Sequence, residues 1–289
     1  MHWSGRIQLA LDAGLKTARS ARAGHRHGAG AVLLAGSHVV YPTKVQEDGG
    51  RPYLEAGPIH RSFWRTIEWR LWKPIVDGLE RPIADVGCGD GEFGKALFPT
   101  IDFGFDGEAA TLGHCDPKVY LRTGLVDIRE ELPVPPGSLA TIFSNSVLEH
   151  VENVEQALHR FASALRPGSV LVFTVPSSGL VRAFSTAYGR AFCDRLNGVL
   201  GHKNLWTASE WAGKLTAAGF RDVATRGYMT DAAAQWFASR HLPPWTQINR
   251  RARVAAWKWQ LPRFLDLADE SLEETEERRT ACLFVRALR

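Results

Sequence analysis

The stretch Ile83–Leu97, IADVGCGDGEFGKAL, decides the fold. Its first four residues read as a short buried strand, and Gly87, Gly89 and Gly91 follow, with Asp85 two residues before the first of them. Alternate glycines let a backbone turn sharply and approach a ligand closely. Two signatures overlap here. Gly89, Gly91 and Gly94 have the GxGxxG spacing of a pyrophosphate-binding turn, whereas Asp85, Gly87, Gly89 and Gly91 read DxGxGxG. Phe93 and Leu97 then open a helix. Strand, glycine turn and helix together form the first unit of a nucleotide-type α/β sheet.

The same alternation continues outward. Upstream, Phe63, Ile67, Leu71 and Ile75 recur every four residues and predict a helix over about 59–79. Downstream, IDFGFD predicts a second strand ending at Asp106, and TGLVD a third ending at Asp127. After the proline-rich turn LPVPPGS comes the buried strand LATIFSNS. A helix is predicted from Asn153 to Leu165, with Val154, Leu158, Phe161 and Leu165 on one stripe, Asn153 and Gln156 as a capping box, and Pro167-Gly168 as its stop. SVLVFTVP reads as a strand buried on both faces. Thr207 and Glu210 form a second capping box, opening a helix with Trp211 and Leu215 on one face and Gly219 at its end. TACLFVRAL reads as a last buried strand. Repeated strand and helix units imply a parallel sheet covered on both faces, with ligands at the carboxyl ends of its strands.

Residues 1–58 are expected to be an N-terminal extension. Their Gly-, His- and Pro-rich part holds one apolar run, AVLLAGSHVVY, that reads as a short strand. The chain of 289 residues is 45% hydrophobic and 23% charged, enough apolar material for a core and unlike a disordered protein. Cys88, Cys115, Cys193 and Cys282 lie far apart without a CxxC pair, which argues against a zinc ribbon or disulfide framework and fits a reducing, cytoplasmic setting. No apolar run reaches transmembrane length, and the N-terminus lacks the compact apolar region of a secretory signal. The net charge of +4 is too mild to mark a nucleic-acid binder. Charge is nevertheless concentrated in residues 231–264, where six Lys/Arg and four Trp face the single acid Asp231.

The residues themselves narrow the ligand. A carboxylate at Asp85 repels a pyrophosphate but suits an ammonium or sulfonium ion. Asp106 is placed to accept hydrogen bonds from both hydroxyls of a ribose, a role common to dinucleotides and other nucleosides. Asp127 is placed to accept from an adenine amino group. Three acids at three strand ends, and no basic residue in the loop, favour a cationic nucleoside over a dinucleotide.

Taken in order, IADVGCGDGEFG, then FGFDGE, then VDIREELPVPPGSLATIFSNSVLEHVENVEQALHRFASALRPGSVLVFTVP resemble the class I S-adenosylmethionine-dependent methyltransferases, in particular the subgroup acting on small molecules and lipids. HKNLWTASEWAGKLTAAGF resembles the segment before that family's last helix and sixth strand. The resemblance implies a Rossmann-like, doubly wound α/β fold with a seven-stranded sheet in the order 3-2-1-4-5-7-6 and the last strand antiparallel. It implies a catalytic domain over 59–289 with a helical insertion at 231–273. S-adenosylmethionine would be the cofactor, with Asp85, Gly87, Cys88, Gly89 and Gly91 around its methionine part, Asp106 on the ribose, Asp127 and Ile128 on adenine, and Ser144 and Asn145 beside the transferring methyl. The expected activity is methyl transfer to a small-molecule, lipid or saccharide-type acceptor. A nicotinamide-dependent oxidoreductase and a non-catalytic nucleoside-binding or membrane-associated interaction protein are the alternatives. One departure is Ala140, where many relatives carry an acid.

His150 is the candidate general base, because an imidazole titrates in the useful range. Against it, a His at a strand-to-helix junction often only bonds the backbone, and methyl transfer from a sulfonium needs mainly in-line positioning. Glu149-His150 also resembles the end of a magnesium-binding ExxEH pattern, but Ser146 stands at its first position, which leaves too few oxygen ligands, so no metal is expected. Cys88 fits a tight loop as a small side chain and is not expected to be reactive. The Trp- and Arg-rich insertion has two readings. It either buries Trp236, Trp245, Trp257 and Trp259 in the core, or forms a lid over the acceptor that suits peripheral contact with a lipid surface. Single-stranded nucleic acid is a weaker third occupant of the same surface. The acidic run DLADESLEETEERR is expected to be a solvated helix face.

Overall fold

The computed structural model of the chain describes residues 59–242 and 250–289, and the side chains of 250–258 are outside that description. The expected N-terminal extension, with its strand, and Trp245 therefore lie outside the described residues, as does the side chain of Trp257. The chain enters through helix α1 (Ile59–Val76), followed by β1 (Ile83–Val86), α2 (Glu92–Leu97), β2 (Phe103–Asp106), α3 (Ala109–Leu112), β3 (Thr123–Leu125) and β4 (Leu139–Asn145). A 3-10 turn at Leu148–His150 leads to α4 (Val154–Ala164) and β5 (Leu165–Pro176). Next come α5 (Ser178–Tyr188), α6 (Arg190–Leu200), α7 (Ala208–Ala217) and β6 (Arg221–Thr230). Two helices, α8 (Asp231–Ser239) and α9 (Arg250–Glu273), precede β7 (Thr280–Leu288).

The seven strands form one sheet in the order β3-β2-β1-β4-β5-β7-β6, as expected. β1 to β5 are parallel, and β7 runs antiparallel to both β5 and β6. Successive strand residues feed opposite faces. Phe143, Val172 and Phe284 join α1, α2, α5, α6, α8 and α9 in one apolar layer, whereas Ile142, Leu171, Phe173 and Val285 join α4 and α7 in the other. β4 is buried at every residue, which is what its run of apolar and small side chains requires. The stripe predicted for α1 holds, since Phe63, Ile67, Leu71 and Ile75 are all buried. Among the described residues no helix is long and apolar enough to cross a membrane.

Several local expectations are corrected. Asn153 adopts a left-handed conformation (φ 53°) at the start of α4 and makes no side-chain cap; its carbonyl accepts from Gln156 N–H instead, so the capping box there does not form. At Thr207 the reciprocal box is present. Pro167-Gly168 does not separate α4 from β5 but lies within the strand, where the register against β4 shifts between Leu139 and Thr141. β3 stops at Leu125, so Asp127 falls in the turn beyond it. The acidic run is solvated only in part, because Leu267, Ala268 and Ser271 of α9 are fully buried. Trp236 packs between Phe63 and Phe264, at 4.5 and 6.1 Å between ring centres, while Trp259 is 83% exposed.

Candidate active site

β1 ends against the glycine loop, and β2 holds that loop in place. The carbonyl of Phe105 accepts from the N–H groups of Gly87 (2.7 Å) and Cys88 (3.1 Å). Gly87, Gly89 and Gly91 all have positive φ. At Gly89 (φ 56°) a Cβ would meet nothing within 4 Å, so the turn presents bare backbone to open space, the cradle a nucleoside ligand needs. Cys88 is buried and burial drives its thiol pKa far up, which makes it inert.

Asp106 stands where β2 ends. Its Oδ2 accepts from Gly89 N–H at 2.8 Å and its Oδ1 from Glu108 N–H at 2.9 Å. Each oxygen keeps a further lone pair, so a pinned, half-buried carboxylate can still take two hydroxyl donors. Burial raises its pKa, against the lowering effect of the two backbone donors.

Asp85 is buried at the far side of the loop. Tyr120 O–H donates to its Oδ2 at 2.6 Å. Burial pushes the Asp85 carboxyl up to about 7, the Tyr120 bond opposes this, and the charge of Asp106 adds to it. The contact is tight: a Cβ on Gly94 would stand 2.1 Å from the Tyr120 oxygen and 2.7 Å from Asp85 Oδ2.

Asp127 is exposed and clamped by Arg129, whose Nε lies 2.9 Å from Oδ1 and whose Nη2 lies 2.5 Å from Oδ2. The guanidinium holds that carboxyl down at about 2. Ile128 beside it is buried.

The side chains of Ser144 and Asn145 bond within the protein. Ser144 O–H donates to Val86 O at 2.9 Å and ties β4 to β1. Asn145 Oδ1 accepts from Trp72 Nε1 (2.7 Å) and Thr174 O–H (2.9 Å), and its amide donates to Glu68 Oε2 at 2.8 Å. Glu68, fully buried on α1, also accepts from Trp64 Nε1 (2.9 Å), Tyr228 O–H (3.2 Å), Arg65 and Ser146. This network fixes α1 over the carboxyl ends of β4 and β6. Because the donors sit in three distant segments, no local motif announces it; an acid at a stripe-adjacent position of an apolar helix is the only sequence sign.

His150 ends the 3-10 turn after β4. Its Nδ1 lies 3.3 Å from Gly201 O and its Nε2 3.6 Å from Glu149 Oε1. Burial, followed by the Glu68 charge, pushes the Glu149 carboxyl up to about 8. The fold thus gathers Asp85, Asp106 and the glycines around one loop, ties β4 to β1 beside it through Ser144, and places Asp127 just past β3 and His150 in the turn after β4. Tyr120, Glu68 and His202 are contributors that sequence reasoning missed.

The family model described as "Methyltransferase domain" matches residues 65–225, more than half of the chain. The chain belongs to this methyltransferase family. S-adenosylmethionine is accordingly its cofactor and methyl transfer its activity, and the nicotinamide and non-catalytic alternatives fall away. Solved structures with the same fold include an S-adenosylmethionine-dependent methyltransferase of Archaeoglobus fulgidus (TM-score 0.50, 16% identity, 78% of this chain and 94% of that one). Another is that of Thermotoga maritima (TM-score 0.50, 16% identity, 79% and 90%). A third is phosphoethanolamine N-methyltransferase 2 of Haemonchus contortus, in complex with phosphomonomethylethanolamine and S-adenosylhomocysteine (TM-score 0.50, 15% identity, 83% of this chain and 60% of that one). No curated protein matches the sequence.

Proposed function

We propose that this methyltransferase acts on a small amphipathic acceptor, of the lipid or saccharide-precursor type, taken up over the carboxyl ends of β4 and β5. The catalytic unit in this reading spans residues 59–289, with the insertion 231–273 on the acceptor side and 1–58 as an extension. The cofactor supplies a methyl group made electrophilic by its sulfonium. The protein's part is to bind and orient. Gly87, Cys88, Gly89 and Gly91 offer backbone to the methionine part, Asp85 faces its ammonium, and Asp106 takes the ribose hydroxyls through its remaining lone pairs. Ile128 gives adenine an apolar wall, with Asp127 at its rim. Ser144 and Asn145 act as rigid floor beneath the methyl.

The observation that supports this most is Asp106: a carboxylate held by two backbone N–H groups, one of them from the glycine loop itself. Preorganisation of that kind costs nothing further on binding. For the acceptor side, the support is Trp259, a large apolar side chain left in solvent on α9, with the half-exposed Arg263 one turn further along the helix. Trp beside cations suits the boundary between an apolar chain and an anionic headgroup, and a peripheral membrane contact follows from the same surface. His150, in the turn after β4, is the candidate to receive an acceptor proton.

Calorimetric titration with S-adenosylmethionine, S-adenosylhomocysteine and NAD tests the cofactor half; binding of NAD alone overturns it. A panel of hydroxylated and amine-bearing amphiphiles with methyl-labelled cofactor tests the acceptor half, and label transfer confined to water-soluble, non-amphipathic acceptors overturns that part.

A further inference from the structure

Apart from the cofactor loop, three electron-pair donors converge. Glu149 and His150 lie in the turn after β4, and His202 lies in the turn after α6; one ligand atom from each is within 4.8 Å of the other two. The imidazole rings are 5.4 Å apart between centres.

Their surroundings fix which atoms point inward. His202 Nδ1 is 2.9 Å from Asn197 Oδ1, and Asn197 spends its amide N–H on Cys193 Sγ at 3.3 Å, so its oxygen must accept from the ring. His150 Nδ1 faces the carbonyl of Gly201, which can only accept. In both rings Nδ1 therefore carries the proton and Nε2 the lone pair. Glu149 completes the set: its side chain is 2% exposed, and its Oε2 has no hydrogen-bond partner.

Two imidazole lone pairs and a buried carboxyl group with an unpartnered oxygen thus confront one another. Electron-pair donors crowded in this way are costly unless a proton or a metal cation lies among them. Histidines that donate one ring N–H to an oxygen and aim the other nitrogen inward are the usual form of metal-ligating histidines. We propose that Glu149, His150 and His202 bind a divalent transition-metal ion through the two Nε2 atoms and a carboxylate oxygen. The donor set is nitrogen-rich, which selects zinc and its first-row neighbours over magnesium or calcium. It is therefore not the oxygen-rich ExxEH arrangement from which Ser146 departs. The oxygen ligands remain as few as the sequence count made them; what that count did not include is a nitrogen ligand, His202, from a distant turn. Three protein ligands leave at least one position open. The opening lies on the side of His150, whose side chain is 41% exposed, next to the end of β4, so an oxygen or nitrogen of a small ligand can complete the sphere. With the ion bound, Nε2 of His150 is a ligand and not a base.

The test uses the full chain, stripped with chelator and titrated calorimetrically with ZnCl2, with CoCl2 as a spectroscopic probe. The wild type is expected to bind one equivalent and to show tetrahedral-type cobalt absorption. His202→Ala and Glu149→Gln should each weaken zinc binding by about tenfold or more, by analogy with losses around metal sites, while His159→Ala on the exposed face of α4 binds as the wild type does. Zinc should raise the thermal midpoint of the wild type and of His159→Ala but not of His202→Ala. Should Glu149→Gln fail to fold, His202→Ala and His202→Gln carry the test. Absence of zinc binding by the wild type, which would leave a shared proton as the only cation, overturns the proposal, as does unchanged affinity in the His202 variants.

Discussion

Tyr120 holds Asp85: its hydroxyl donates at 2.6 Å to the carboxylate, and the pair fills the space that Gly94 leaves by lacking a side chain. Burial pushes the Asp85 carboxyl from 3.8 up to about 7, and the Tyr120 bond only opposes that rise. The cofactor's ammonium favours the ionised form. Affinity for S-adenosylmethionine should accordingly be full above pH 7 and fall as pH drops through that value, by up to about tenfold per unit. Tyr120→Phe removes a donor that favours the ionised form and should move the fall to higher pH. Calorimetry between pH 5.5 and 8.5 measures this; an affinity flat across that window would remove Asp85 from the ammonium.

Asp106→Ala should weaken S-adenosylmethionine binding by roughly ten- to a few hundred-fold, because hydrogen bonds to a charged group are worth about 1.5 to 3 kcal/mol each. The fold should persist, since the lost partners are two N–H groups at a solvent-facing loop. A folded variant with wild-type affinity would show that the ribose lies elsewhere.

Glu68→Ala should cost about 3 to 5 kcal/mol in urea denaturation, the range for removing one partner of a buried charge network. Five side chains, Trp64, Arg65, Asn145, Ser146 and Tyr228, lose their common acceptor. Glu68→Gln should recover part of this, because an amide oxygen can still accept. A loss below about 1 kcal/mol for the alanine variant would mean that the network adds little.

The two described insertion tryptophans should separate. Trp236→Ala should cost about 3 kcal/mol, the low end for a packed aromatic, whereas Trp259→Ala should change stability by less than about 0.5 kcal/mol. If the Trp259 surface meets membranes, the wild type will sediment with anionic liposomes at low salt and release as salt rises, and Trp259→Ala will bind more weakly. Equal sedimentation of the two proteins would take Trp259 out of any lipid contact.

What was legible in the sequence was whatever is periodic or local. The α1 stripe, the glycine turn, the strand ending at Asp106, the buried strand LATIFSNS (which closes one residue early, at Asn145) and the box at Thr207 are each written within a short run of residues. What was not legible depends on distance. Tyr120 reaches Asp85, Glu68 reaches Tyr228 and His202 reaches His150 only once the sheet has assembled, and none of these pairs has a spacing that could be read beforehand. The false capping box at Asn153 shows the converse: a pattern suited to a cap lost to a backbone that entered the helix through a left-handed residue. The Trp-rich insertion defeated an all-or-none reading because its helices face two ways, with Trp236 turned to α1 and Trp259 to solvent.

The position of β7 between β5 and β6 also orders the making of the protein. Strands β1 to β5, with the cofactor loop among them, have all their neighbours on one side as soon as β5 is synthesised. β6 has none until β7 has been made, since among the described residues it pairs with no other strand. While the ribosome is translating α8 and α9, β6 is a solitary strand with unpaired backbone groups, joined to a half-sheet whose open edge is β5. The nascent chain can thus shape the half of the sheet that carries the glycine loop early, but the β6 half closes in a single late step, when β7 slots between two waiting edges. That interval is when both edges are open to pairing with another chain.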